Sequence, residues 1–345
     1  MALIHKKKIP FPISKCLREY LSEHEREKHL PVTYKDLTRY STSIALYDKH
    51  GNDTLWETVF FSETESQQVY QALKEIYSIL KAAGDLSVID HLFIDRIDIC
   101  IYGNTRPFRI RIVNRINDNF DYFYLKNADA SRIYGLELEH ILSPNRINYL
   151  VCDNTLVEEH IAGIPGDQFI ETYLSAPDIN EIRLAKEFVK FNERTFVRLL
   201  GDMHSNNFVI DITPDFEETH YRIRAIDFDQ QSFEGKRTVY MPQYFKQNNP
   251  IINLGIKLMT PETVRQYQRE EQSLIASRIK SSRYRLKALI DCMANDKISK
   301  PHHINRLKKE MAAYYNDQRF LECRSMGEIV KVSLRMLMER DRLRQ

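Results

Sequence analysis

Glycine is scarce, ten in 345 residues, and no low-complexity run or internal repeat is present, so long flexible linkers are not expected. Cysteine is scarcer still, with five. Cys16, Cys100, Cys152, Cys292 and Cys323 are scattered, odd in number and never form Cys-x-x-Cys, which argues against a disulfide framework or a zinc site and for a reducing, cytoplasmic setting. No apolar run is long enough for a membrane span, and the basic stretch Met1 to Lys8 leads into Ile9-Pro10-Phe11-Pro12 instead of the apolar core of a signal peptide. What is present is ordinary for a globular chain: 43% hydrophobic and 28% charged residues, with a length that suits two domains or one two-lobed body. The net charge of +2 hides an asymmetry, since the stretch from Arg278 onward is basic and the remainder acidic. Those basic residues alternate with acidic ones along predicted helices, so a nucleic-acid-binding tail is not expected.

The most informative stretch is Gly201-Asp202-Met203-His204-Ser205-Asn206-Asn207, followed by the apolar run Phe208-Val209-Ile210 and answered downstream by Ile226-Asp227-Phe228-Asp229. Phosphoryl transfer needs a carboxylate to accept the incoming hydroxyl's proton and hard oxygen ligands to hold magnesium against the phosphates. Asp202 suits the first role, and Asn207 with Asp227 the second. The spacing of Asp202 and Asn207 turns the chain within one tight loop, so both side chains are expected to face the same side. Phe208 to Ile210 and Ile223 to Ile226 read as short buried strands joined by the turn-rich Thr213 to Thr219.

The order of Asp202, His204 and Asn207 behind Gly201 resembles the catalytic loop of the kinase-like superfamily, in the branch of aminoglycoside phosphotransferases, choline kinases and lipopolysaccharide (Kdo/heptose) kinases. Ile226-Asp227-Phe228-Asp229 resembles that branch's metal-binding motif, whose position after Asp-Phe is often acidic. Leu200 stands where the family usually has a loop-bracing His. Glu159-His160-Ile161-Ala162-Gly163 resembles the family's interlobe hinge, which implies that the backbone of Glu159, His160 and Ile161 receives adenine. The short interval from Gly163 to Gly201 is nearer the lipopolysaccharide and Kdo/heptose kinases, and protein kinases, than the antibiotic kinases. The resemblance covers residues 91–235 and implies ATP and Mg2+ as cofactors.

Around that centre the pattern reads as an α+β chain. Ser43 to Tyr47 and Leu55 to Phe61 suggest a β-hairpin, and Ser62 with Glu65 a capping box that opens a helix running to Gly84. His91 to Tyr102, Phe108 to Arg115 and Phe120 to Lys126 suit an antiparallel sheet, with Gly103 to Pro107 as a weak phosphate-loop candidate. Lys126, at a strand end, is the expected phosphate-holding lysine. Glu137, inward on the helix starting near Asp129, is its expected brace, with Glu139 as competitor. Tyr149 to Glu158 reads as a hairpin, and Pro177 to Arg198, Pro261 to Met293, Pro301 to Tyr315 and Ser325 to Arg342 as helices.

The expected architecture is therefore a two-lobed protein-kinase-like fold: an N-terminal α/β extension (residues 1–90), an antiparallel β N-lobe (91–162) and a mainly helical C-lobe (163–345). The expected activity is ATP- and Mg-dependent transfer of the γ-phosphoryl group to a hydroxyl of a small, sugar-like acceptor. Lys236 and Arg237, in the segment after Asp229, are candidates for an anionic acceptor, with Phe233, Tyr240, Tyr244 and Phe245 as flat faces for a carbohydrate ring. A protein Ser/Thr kinase and a pseudokinase scaffold are the alternatives. The missing Ala-Pro-Glu anchor counts against the first, and the retained Asp202, Asn207 and Asp227 against the second.

Overall fold

The computed structural model describes residues 8–82, 84–102, 105–177, 179–214 and 219–343. It divides into two compact units, residues 1–130 with 147–160 and residues 131–146 with 161–345.

The first unit is built on a seven-stranded antiparallel sheet. Helix α1 (Lys15–Glu23) and the short α2 (Tyr34–Leu37) precede β1 (Thr42–Tyr47) and β2 (Asp53–Phe60), and α3 (Glu63–Ala82) leads to β3 (Leu92–Cys100), β4 (Phe108–Asn114), β5 (Phe120–Asn127), β6 (Tyr149–Cys152) and β7 (Thr155–Glu159). The strand order is β1-β2-β3-β4-β5-β7-β6. Alternation along the strands sends one set of side chains to the core: Ile97, Ile99, Phe108, Ile110, Phe123 and Leu125 pack with Leu73 and Ile76 of α3. Residues of the other register form a polar band, in which the fully buried Asp98 accepts from Arg109 Nη2 at 2.8 Å and Thr58 Oγ1 at 2.9 Å. The β6 edge is covered by a parallel bridge between Glu27 and Val151, so its backbone groups are not left as a template for another strand.

Two devices read from the sequence are present in this unit. Ser62 Oγ donates to Glu65 Oε2 at 2.5 Å while accepting from the Glu65 amide at 3.4 Å, which opens α3. In the β1–β2 turn, Asp48 Oδ1 accepts from the amides of His50 and Asn52.

The second unit is mainly helical. It comprises the body of α4 (Ala130–Leu142), then β8 (Ile164–Pro165), α5 (Gly166–Gln168), α6 (Glu181–Val197), β9 (Phe208–Pro214), β10 (Thr219–Ala225), α7 (Asn249–Leu258), α8 (Pro261–Ser281), α9 (Arg283–Asn295), α10 (Pro301–Tyr315) and α11 (Met326–Arg342). Its small antiparallel sheet has the order β10-β9-β8. Helix α4 is buried on nearly every face, so its charges require partners. Arg132 pairs with Asp227 and Asp229, Glu137 with Arg285, and Glu139 with Arg198.

The α+β class is as expected, with an antiparallel sheet in one unit and a helical majority in the other, but three expectations are corrected. Residues 1–90 are no separate extension, because β2 hydrogen-bonds to β3 and α3 supplies the core of the same sheet. The helix after β5 belongs with the second unit, held there by its three ion pairs. The helix expected from Pro261 to Met293 breaks at Ser282 (φ −114°, ψ 28°), where Ser281 Oγ bonds back to the Arg278 carbonyl at 2.9 Å. Cys100, Cys152 and Cys323 are free thiols. Among the described residues no helix is long and apolar enough to cross a membrane.

Candidate active site

Strand pairing brings the two motifs of the second unit together. In the β9–β10 hairpin Phe208 opposes Ala225, and one step further the Ile226 amide donates to the Asn207 carbonyl at 3.0 Å. Asn207 and Asp227 therefore leave the same end of one hairpin. Asp202 lies across a tight loop from them, in the left-handed region at φ +62°, which Asp tolerates better than most residues because its short side chain bonds locally. Its carbonyl accepts from the His204 amide at 2.9 Å and from Asn207 Nδ2 at 2.8 Å. His204 caps the turn, its Nδ1 accepting from the Asn206 amide at 3.3 Å. Asn206 Nδ2 in turn donates to Asp167 Oδ2 at 2.7 Å.

The segment after Asp229 folds back onto this loop. The Asp202 amide donates to the Val239 carbonyl at 2.9 Å. Gly201 leaves little room for a side chain, since a Cβ there would sit 3.1 Å from both the Gln230 carbonyl oxygen and Val239 Cγ1, which would have to give way by a few tenths of an ångström. The fully buried Asn248 donates from Nδ2 to the Met203 carbonyl at 2.9 Å and the Pro242 carbonyl at 2.8 Å, tying loop and segment together. Gln231 fixes the motif's far end: its carbonyl accepts from Ser131 Oγ and its Nε2 donates to the Arg198 carbonyl, both at 2.6 Å.

Burial pushes the Asp202 carboxyl up to about 6, and the negative charges of Asp227 and Glu234 add to the rise although nearby His204 opposes it. A carboxylate so poised is suited to general-base work near neutral pH. Asp227 is flanked differently. Arg132 Nη1 donates to Asp227 Oδ1 at 2.8 Å and to Asp229 Oδ1 at 2.7 Å, and the Asp229 amide donates to Asp227 Oδ1 at 3.0 Å. The Arg132 side chain is 2% exposed and that of Asp227 35%, so the guanidinium stands behind the carboxylate and leaves it partly open to solvent.

No known protein family and no curated protein matches the sequence. Among solved structures the chain has a low-scoring likeness to one described as titin kinase and its flanking domains (13% identity, TM-score 0.27) and to the autoinhibited serine kinase domain of the giant muscle protein titin (13% identity, TM-score 0.24). The matches cover 66% of this chain and 51% of the first, and 68% of this chain and 78% of the second. The chain thus spans about half the length of the first. Scores this low carry no argument, and the functional reading rests on the residues.

The other expected site residues behave less uniformly. Lys126 is buried at the end of β5, but its ammonium donates to Glu158 Oε2 at 2.8 Å on the neighbouring β7. Glu137, its expected brace, receives the Arg285 guanidinium through both carboxylate oxygens, at 2.8 and 3.1 Å. The strand register explains the substitution: Tyr124 opposes Glu158, which brings Lys126 diagonally within reach of that carboxylate. Glu159 accepts from Lys81 Nζ at 3.0 Å and donates its amide to the Asn148 carbonyl, while the His160 amide donates to the Tyr122 carbonyl. Two of the three amides named for adenine are thus already bonded within their own unit; Ile161 is buried. Gly103 and Asn104 of the weak phosphate-loop candidate lie outside the described residues, as does the tip of the Thr213 to Thr219 turn.

In the acceptor candidate, Lys236 is exposed. Arg237 is engaged, its guanidinium 4.3 Å from the Tyr314 ring centroid and its Nη1 donating to Met241 Sδ at 2.9 Å. Of the four aromatics, Phe233 and Tyr240 are core residues, Phe245 is half-buried, and Tyr244 is 57% exposed. The expectation of four exposed flat faces is corrected to one. An apolar groove of about 510 Å³ between α6, α7 and α8 includes Phe188, Ile251 and Met259 in its walls and none of the candidate residues.

The sequence reading passed over Arg132, Asp167 and Asn248. For Arg132 a signal existed, since a second carboxylate in the motif, Asp229, calls for a cation beside it. Asn248 and Asp167 carry no pattern that separates them from ordinary loop residues.

Proposed function

We infer that the second unit carries a phosphotransfer site that moves the γ-phosphoryl group of ATP to a hydroxyl. The observation carrying this reading is Asp202, a carboxylate raised to about 6 and held by backbone bonds beside Asn207 and Asp227. Asp202 is the base that accepts the hydroxyl's proton.

Magnesium suits the donors present. Among the described residues no group of three or more His, Cys, Asp or Glu is arranged as a metal cage, but magnesium commonly takes only one or two carboxylates, with waters and phosphates completing its shell. The Asn207 amide nitrogen is committed to the Asp202 carbonyl, which leaves its side-chain oxygen as the atom to offer a metal. The negative charge that helps raise Asp202 is also relieved by a bound cation. When bound, the ion supplies charge stabilisation at the phosphates; Asn207 and Asp227 hold it, and Asp202 orients the acceptor hydroxyl and takes its proton. The phosphate role that the resemblance implies stays with Lys126, whose carboxylate partner is Glu158 and not Glu137, whereas the amides of Glu159 and His160, already bonded to Asn148 and Tyr122, carry no adenine role.

For the acceptor, the reading is a small, sugar-like hydroxyl compound, with Lys236 and Tyr244 as the exposed cation and ring of the segment after Asp229. The pseudokinase reading gains one specific observation, the pairing of Asp227 with Arg132.

The experiment is a thermal-shift titration. ATP with magnesium should raise the Tm of the wild type, as any ligand selective for the folded state must. Asp227→Asn should weaken that rise and Asp202→Asn largely keep it. A wild type indifferent to ATP with magnesium would remove the reading.

A further inference from the structure

We propose that Arg132 is a built-in counter-cation that keeps divalent metal off Asp227 until the phosphates of a nucleotide arrive, so that the metal enters with the nucleotide and not before it. This deepens the phosphotransfer reading and rests on it for the role of Asp227. One guanidinium nitrogen, Arg132 Nη1, serves both Asp227 Oδ1 and Asp229 Oδ1, at 2.8 and 2.7 Å. An arginine cannot be deprotonated under these conditions, so its charge is permanent. The side chain is buried and its ring-facing contact with Phe228, 5.9 Å from guanidinium carbon to ring centroid, holds it inside the motif.

The occupancy of the Asp227 carboxylate then sets the metal's behaviour. Asp227 Oδ1 already accepts from Arg132 Nη1 at 2.8 Å and from the Asp229 amide at 3.0 Å, with the guanidinium charge directly behind it. That is a poor ligand for a divalent ion arriving alone. A triphosphate brings several more negative oxygens, and with them the shell that magnesium prefers. On this account Asp229 retains Arg132, and Arg132 is a positioning residue acting through Asp227.

The test uses metal alone as the probe, on the full chain. Arg132→Gln by itself leaves two carboxylates without their cation and can fail to fold. The double variant Arg132→Gln, Asp229→Asn keeps the net charge at −1 and removes that hazard. Magnesium and manganese are titrated without nucleotide, by calorimetry and by Tm, against wild type, the double variant, and the double variant with Asp227→Asn added. The expected result is metal-alone binding about tenfold or more tighter in the double variant than in the wild type, lost again when Asp227 is replaced. Equal metal-alone affinity in wild type and double variant overturns the proposal, as does a gain that survives Asp227→Asn. The phosphotransfer reading fails separately: a wild type that does not respond to ATP with magnesium sinks that reading even if the double variant gains metal. A wild type that responds, beside a double variant that gains nothing, sinks only the role of Arg132.

Discussion

The side-chain amide of Asn207 donates to the backbone carbonyl of Asp202 at 2.8 Å, so the candidate metal ligand also holds the candidate base in its left-handed conformation. The two roles separate in Asn207→Asp, which keeps an oxygen for a metal and loses the donor. A carboxylate beside the Asp202 carbonyl repels it. The variant should lose about 1 kcal/mol of stability in denaturant titrations and about a hundredfold in transfer rate, because the base is no longer aimed. Wild-type stability and rate in this variant would mean that the bond orients nothing.

Asp202 should leave a signature in the pH dependence of stability. Its carboxyl rises from 3.8 to about 6 on folding, so between these values the folded state holds more proton than the unfolded one and stability falls as pH rises through the window. The cost persists above pH 6. With the side chain about a third exposed, solvent screening reduces it to about 1 kcal/mol. Asp202→Asn should therefore be more stable than the wild type at pH 7 and close to it below pH 4, measured by urea unfolding. In the wild type, kcat/KM should climb with pH and level off above about 6, since only the ionised carboxylate accepts a proton.

Asn248 should matter for both stability and turnover without touching a substrate. Asn248→Ala removes a fully buried amide and leaves the Met203 and Pro242 carbonyls without that donor, a loss of about 2 kcal/mol. With the segment released from the loop, kcat should fall more than the KM for ATP. Stability unchanged within error would contradict the tie between them.

Lys236 and Arg237, adjacent in sequence, should separate cleanly. Arg237→Ala removes the stacking on Tyr314 and the bond to Met241, and should cost about 1 kcal/mol of stability. Lys236→Ala should be neutral for stability and should raise the KM of an anionic acceptor. The reverse pattern would take the acceptor role away from Lys236.

The parts of this molecule that were legible in its sequence are those fixed by local chemistry. The Ser62 and Glu65 capping box, the Asp48 turn and the alternating strands β3 to β5 are short-range patterns that packing does not override. The meeting of Asn207 with Asp227 was legible too, since two apolar runs joined by turn residues form a hairpin whose ends coincide. What was not legible depends on which of several equivalent charges finds which partner. Nothing local distinguishes Glu137 from Glu158 as the carboxylate for Lys126; the β5–β7 register does. The placement of α4 depends likewise on Arg285, Arg198 and Asp227, all far along the chain. Aromatic residues in the segment after Asp229 carry no mark of burial, so Phe233 and Tyr240 looked as available as Tyr244.

The central claim, that Asp202 is the base of a phosphotransfer site, is tested most directly by label transfer from γ-labelled ATP in the presence of magnesium to pooled sugars, other alcohols and proteins, with wild type and Asp202→Asn side by side. The account predicts that the wild type labels a hydroxyl compound, and that Asp202→Asn, while still stabilised by ATP with magnesium, transfers at a rate lower by at least about a hundredfold. An Asp202→Asn variant that transfers label as fast as the wild type would contradict it, and so would a wild type that binds ATP with magnesium and labels none of the acceptors.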